Sequence, residues 1–200
     1  MDKFDYLKKE VESLFKRLPQ SMHYHNYNHT LDVLTQVERI AQHEKIHQFD
    51  LLLLKTAALF HDTGFLINYR DHEKGSIHIA KPILKKHSYN PSQINVVCKL
   101  IEKTKLPHNP ETKLQQILCD ADMDNLGRSD FLEKNELLRK ELQENQNVFY
   151  TEDEWYNLTL NLLKRHHYFT SAQQNRTQYK KTINHKLILE KIESDDNFWE

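Results

Sequence analysis

The sequence predicts an all-α fold. Apolar residues recur with a 3.6-residue period through nearly every segment, and no segment alternates as a half-buried strand would. Glycine is scarce, at three residues in 200. No Pro/Ser-rich linker, low-complexity run or internal repeat divides the chain. One compact single-domain helical bundle is therefore expected over residues 1–200, with its core at about 20–190.

A short opening helix covers about residues 2–17. The second carries Val33, Val37, Ile40 and Ala41 on one face. The third begins at Asp50, a good N-cap, and runs from Leu51 to Asp62, with Gly64 as its stop. Being apolar nearly all round, it should be the buried central helix. A fourth follows Asp71, and Pro82 must kink or divide it. Asn90-Pro91 opens a fifth, with Ile94, Val97, Cys98 and Ile101 on one face.

Thr104 to Thr112, with Pro107 and Pro110, is the clearest loop. Leu114, Ile117, Leu118 and Ala121 mark a sixth helix, and Ser129 is positioned to cap a seventh. Thr151-Glu152-Asp153-Glu154 is a capping-box signature for an eighth, whose stripe is Trp155, Leu158, Leu162, Leu163 and His166. The last starts near Ser171 and carries Ile183, Leu187 and Ile192.

Hydrophobic residues make up 38% and charged residues 28%, a polar but globular balance. A net charge of −1 supplies no overall basic field, so nucleic acid is not an expected partner. The start, Met-Asp-Lys-Phe-Asp, lacks the apolar core of a signal peptide, and no apolar run is long enough to span a bilayer. The expectation is a cytoplasmic protein without a membrane partner. Cys98 and Cys119 both fall in helical apolar patterns and read as reduced core residues. An oligomer is compatible with these features.

The chemistry lies where polar residues break apolar stripes. His29 precedes Val33 and Val37 by four and eight residues, on the core-facing side of its helix. His61 follows Leu54 and Ala58 at seven and three, again on the buried face, and Asp62 is about a hundred degrees further round. Leu114, Leu118, Asp122 and Leu126 form one i, i+4 line, whereas Asp120 and Asp124 align with Gln116 on the polar side. A carboxylate on an apolar stripe is costly unless paired or metal-bound. Asp122 is thus the expected ligand, with Asp120 in reserve. His29, His61, Asp62 and Asp122 make a mixed N/O set suited to a divalent cation, whether Mn, Fe, Co, Ni, Mg or Zn.

Glu73, close in sequence to the His61-Asp62 pair, could activate water or hold a second ion, or simply favour a helix start. Lys105, Arg128, Arg139, His166, Arg176 and Lys180 are candidates for phosphate contacts. Arginine in particular suits bidentate phosphate binding.

These residues also carry a resemblance. His29…His61-Asp62…Asp122 resembles the H…HD…D signature of the HD superfamily of metal-dependent phosphohydrolases, which are all-helical. The similarity extends from Tyr24 to about Lys181, through His72-Glu73…Ser76, Asp120-Ala121-Asp122…Leu126-Gly127-Arg128 and His167-Tyr168-Phe169-Thr170. It points to a bacterial group described as predicted HD phosphohydrolases and implies a metal held by His29, His61, Asp62 and Asp122. Locally, Tyr24-His25-Asn26-Tyr27-Asn28-His29-Thr30-Leu31-Asp32-Val33 is similar to the YHNxxHxxDV segment of class I cyclic-nucleotide phosphodiesterases. That likeness implies His25 as a general acid beside the ligand His29. After His61-Asp62, however, comes Thr63-Gly64-Phe65 rather than the further Asp-His of those enzymes, and no base-binding glutamine is recognisable.

The expected function is hydrolysis of a small phosphorylated metabolite or nucleotide by metal-activated water. His25, Asp62 and Glu73 would be catalytic, and Lys105, Arg128, Arg139, His166 and Arg176 would contact substrate. The rival readings are a cyclic-nucleotide or other phosphodiesterase and a non-catalytic ligand sensor.

Overall fold

The computed structural model describes residues 3–196. Asp2, placed at the start of the first helix by sequence, lies outside the described residues. The described chain is all-α, with no strand. Helix α1 (Lys3–Phe15) buries Leu7, Val11 and Phe15. Helix α2 (Tyr27–His43) is started by Asn26, whose side chain accepts from the amides of Asn28 and His29. Its buried face runs His29, Val33, Val37, Ile40.

Helix α3 (Gln48–Phe60) is the central one, packed by α1, α2, α4, α5 and α6. Leu53, Leu54, Ala57, Ala58, Leu59 and Phe60 are all buried on it. Each large one contributes roughly 1.5–3 kcal/mol by leaving water. Its start differs from the sequence expectation: His47, not Asp50, is the N-cap, its ring nitrogen accepting from the Phe49 amide. Asp50 stands in the first turn, where the helix dipole also favours a carboxylate. Its end differs too. The α-helix stops at Phe60, and Thr63–Leu66 forms a 3-10 turn.

Gly64 does not act there through a left-handed conformation, since none of the glycines has positive φ. Its role is close approach. A Cβ on Gly64 would stand 1.8 Å from the His72 carbonyl oxygen, so the turn packs directly onto α4 (His72–Lys86). Ser76 bolts the two together, its hydroxyl accepting from the Gly64 amide at 2.8 Å and donating to the His61 carbonyl at 2.5 Å. Pro82 does not divide α4, which continues to Lys86. Helix α5 (Pro91–Glu102) and helix α6 (Lys113–Asp122) open on capping boxes, Asn90 with Gln93 and Thr112 with Gln115. Residues 103–112 between them are the expected loop.

Beyond α6 a 3-10 turn (Asp124–Gly127) leads to α7 (Phe131–Gln146), α8 (Glu152–Arg165) and α9 (Ser171–Asp196). Asp130, rather than Ser129, precedes α7, and it makes no side-chain cap. Leu126, Phe131, Leu163 and Ile188 form a second, smaller core. The inner face of α9 is more polar than its sequence suggests. Gln173, Thr177, Lys181, Asn184 and Ile188 are buried, whereas Ile183 and Leu187 are exposed, as is Leu158 on α8. Gln173 explains the inversion: it and Arg39 both bond the buried Asp124, so this face is held by hydrogen bonds. Cys98 and Cys119 are buried and free, as expected. No described helix is long and apolar enough to cross a membrane.

Candidate metal centre and active site

Four donors meet where the N-terminal turn of α2, the end of α3 and the end of α6 converge. His29 Nε2 is 3.1 Å from Asp122 Oδ1 and 3.5 Å from Asp62 Oδ2. His61 Nε2 is 3.1 Å from Asp62 Oδ2 and 3.4 Å from Asp122 Oδ1. The four atoms thus close a ring of alternating nitrogen and oxygen. Donor atoms bound at about 2.0–2.2 Å to one small divalent ion lie about 3.0–3.5 Å apart, which these edges match. His29, His61 and Asp122 also offer atoms all within 4.8 Å of one another.

The hydrogen bonding explains why the ring calls for a cation. His61 Nδ1 donates to the Ala58 carbonyl at 2.8 Å, which turns the bare face of Nε2 toward the carboxylates. His61 Nε2 and Asp62 Oδ2 are both buried and, although 3.1 Å apart, are not aligned as a hydrogen bond. Two lone pairs facing each other in the interior repel unless a proton or a metal ion lies between them. Burial alone would push the His61 imidazolium down and the two carboxyls up. The mutual field of the cluster wins. His61 is held well above its ordinary value and Asp62 well below, the latter chiefly through His61 and His72. Asp122 is likewise pulled down by His29 and His61 against its burial. A site that binds a proton so strongly attracts any other cation for the same reason, and the residues fit a divalent ion.

Residues 26–124 match the family model of the HD domain. That segment is an HD domain. An uncharacterized protein of Clostridium beijerinckii is similar as well, 27% identical over 107 residues that span 48% of this chain and 68% of its own. No solved structure matches the chain significantly. HD domains bind divalent metals and are typically metal-dependent hydrolases. The ring of donors lies wholly inside the matched segment.

Asp120, the reserve ligand, points away from this HD centre. It is buried and accepts from the Phe169 amide at 2.9 Å, the Thr170 amide at 2.7 Å and the Thr170 hydroxyl at 2.7 Å. It ties α6 to the start of α9. Burial outweighs these bonds and raises its carboxyl to about 6. Asp120→Ala should therefore leave metal content at the wild-type level while costing about 1–3 kcal/mol of stability, because the two amides lose their acceptor. Elemental analysis beside a thermal melt checks both halves.

His25 sits one turn outside the ring, stacked on Phe65 at 4.5 Å, with Phe65 stacked in turn on His72 at 4.0 Å. Its Nδ1 is 2.5 Å from Glu141 Oε1, on α7. Glu141 is fully buried and saturated. Its other oxygen accepts from the Tyr24 and His25 amides at 2.8 and 2.9 Å, and Tyr69 donates to Oε1 at 2.9 Å. The carboxylate fixes the ring and leaves Nε2 for the cavity. Burial pushes the His25 imidazolium down, but the Glu141 bond, helped by Asp62, raises it above its ordinary value. Sequence reasoning missed Glu141. The available signal was its position beside Leu138 and Leu142, on the same side of α7 as the buried Phe131 and Asn135.

A cavity of about 530 Å³ opens from this cluster, with His25, Asp62, His72 and Asp122 in its lining. Glu73 lines it as well, buried, with Oε2 lacking a hydrogen-bond partner. His72, which the sequence offered only as part of a motif, reaches the second oxygen of Asp62 at 3.3 Å.

The expected cationic contacts need correction. Lys105 lines the cavity, though paired with Asp71. Arg128 does not reach it, being locked by Asp32 at 2.7 Å and by Asp130 at 2.5 Å. Arg139 is turned to the Tyr150 carbonyl. Arg176 lies against Gln36 on the surface. His166 lines separate cavities, and burial pushes it down to about 3, so it carries no charge for a phosphate. Two further cations line the cavity, Arg70 and Lys134, and neither forms an ion pair with a described carboxylate. Arg70 falls in a short loop segment and Lys134 on α7, outside any motif.

Proposed function

We propose that this HD domain is a phosphohydrolase in which His29, His61, Asp62 and Asp122 hold a divalent cation and the adjoining cavity takes a small phosphorylated metabolite or nucleotide. The observation that carries this reading is the closed nitrogen–oxygen ring, with His61 Nε2 and Asp62 Oδ2 buried and unbonded, at one end of a cavity. A cation there supplies Lewis-acid polarisation of a phosphoryl oxygen and acidifies bound water.

The protein's own groups do the rest. Asp62 turns one oxygen to the ring and the other to His72, so His72 fixes the orientation of that carboxylate. Glu73, with a free buried oxygen, is placed to accept a proton from attacking water. His25, charged through Glu141, donates its Nε2 proton to the departing oxygen. Arg70 and Lys134, with Lys105, balance charge on the non-bridging oxygens.

The supported His25 also favours a second reading, phosphodiester hydrolysis, because a diester's leaving alcohol needs the same proton. A dianionic monoester is preferred here. Three cations line the cavity, which suits the charge of a dianion better than that of a cyclic diester. The test is a panel of nucleoside monophosphates, triphosphates, sugar phosphates and cyclic nucleotides assayed with Mn, Co and Mg. Turnover of monoesters or nucleotides above cyclic nucleotides is expected. Strong turnover of a cyclic nucleotide alone would establish the diesterase reading. Tight binding of one member without turnover of any would establish a sensor.

A further inference from the structure

One run of the cavity lining is mostly apolar, made of Leu126, Phe131, Leu138, Leu142, Val148 and Leu162. These come from the Asp124–Gly127 turn, α7, the α7–α8 connection and α8. Leu126 and Phe131 belong to the second core and Leu162 packs on it, so this lining continues the packed interior, with Leu138 and Leu142 half-buried beside it.

The polar groups these elements add to the lining are Asn125, Lys134, Asn135 and Gln146. Asn135 donates to the Thr159 hydroxyl at 3.1 Å and accepts from the Trp155 indole at 2.6 Å, which leaves it engaged on both sides. Gln146 gives its side-chain N–H to the Asn145 carbonyl at 2.9 Å. A sugar body lying against Leu126, Phe131, Leu138 and Leu142 would leave the hydroxyls on that side without partners, each costing about 1–3 kcal/mol. An alkyl or aryl body would lose water from both surfaces at no such cost. A volume near 530 Å³ also exceeds what a phosphate group alone fills.

We propose that the substrate is a phosphomonoester of an apolar alcohol, its phosphate at the metal centre and its alkyl or aryl body against the Leu126–Phe131–Leu138–Leu142 wall. This rests on the phosphohydrolase reading of the same site. In the reaction water oxygen bonds to phosphorus, the ester P–O bond breaks, and the alcohol leaves with the proton from His25. Water's own proton passes to Glu73, so inorganic phosphate and free alcohol are the products.

The test compares methyl, butyl and octyl phosphate, below micellar concentrations, with glucose 6-phosphate and adenosine monophosphate, using the full chain loaded with Mn. The expected result is a kcat/KM that rises about fourfold per added methylene until the wall is covered, the ratio equivalent to ~0.8 kcal/mol per buried CH₂. Leu142→Asn should lower octyl phosphate turnover far more than methyl phosphate turnover. A flat chain-length dependence, or both polar substrates exceeding octyl phosphate, would overturn the proposal and leave the hydrolase reading intact.

If no ester is hydrolysed, that reading fails, and calorimetric titration with methyl-, butyl- and octylphosphonate tests the wall independently. Affinity that climbs with chain length supports the apolar subsite. Equal affinities overturn it.

Discussion

Asp122→Ala protein is expected to emerge from purification without its divalent cation, and Asp62→Ala likewise. Each carboxylate supplies one oxygen to a ring whose other members are two imidazole nitrogens. Removing either leaves three donors, with a single carboxylate facing two buried histidines. The loss in affinity should exceed the roughly 10–100-fold typical when a residue that merely supports a ligand is removed. Phosphate release should fall with it, at any metal concentration that leaves the wild type half loaded. Asp120→Ala serves as the control, because its carboxylate is spent on Phe169 and Thr170. Metal content measured on the three variants decides. Equal content in wild type and Asp122→Ala would remove Asp122 from the centre.

The second large effect concerns His25. His25→Ala should lower kcat by roughly 10²–10⁴ while metal content stays normal, the range expected for loss of a positioned general acid. Nitrophenyl phosphate, whose leaving group needs no proton, should lose much less. An equal loss on both kinds of substrate would assign His25 to positioning or folding. Glu141→Gln adds a readout that a structural role would not move. The imidazolium is the active form, so activity is lost as pH rises through its pKa. The Glu141 bond raises that pKa, and its removal should bring the alkaline limb of the kcat profile to lower pH. An unmoved limb would mean that Glu141 only holds α7 against the Tyr24–His25 turn.

The fold was legible because its helices announce themselves by period and cap. Asn90 with Gln93, and Thr151 with Glu154, form the capping boxes their spacing implies. Apart from the cap of α3, which is a local choice, the misses share a physical cause, contact between segments distant in the chain. His47 displaced Asp50 as a cap, since either residue can start a helix and only geometry selects. Gly64 reads as a helix stop, yet its lack of a side chain serves the approach of α4. The inner face of α9 went unrecognised because Gln173 and Asn184 look like surface residues until Asp124 and the Leu126 carbonyl are brought to them.

The candidate centre was legible for a complementary reason. His29, His61 and Asp122 break apolar stripes, and an interior location for such groups is costly without a partner. The cavity's cations were not legible. Arg128 and Arg139 are as basic in sequence as Arg70 and Lys134, and only the positions of Asp32, Asp130 and the Tyr150 carbonyl show which are already occupied. Glu141 was hidden likewise, 116 residues from the histidine it holds.

Anomalous diffraction from crystals grown with manganese tests the central claim most directly. The account predicts a manganese peak bonded to His29 Nε2, His61 Nε2 and the carboxylates of Asp62 and Asp122, at about 2.0–2.3 Å. A manganese peak at Asp120 or only on the surface, with none between His29, His61, Asp62 and Asp122, would contradict it.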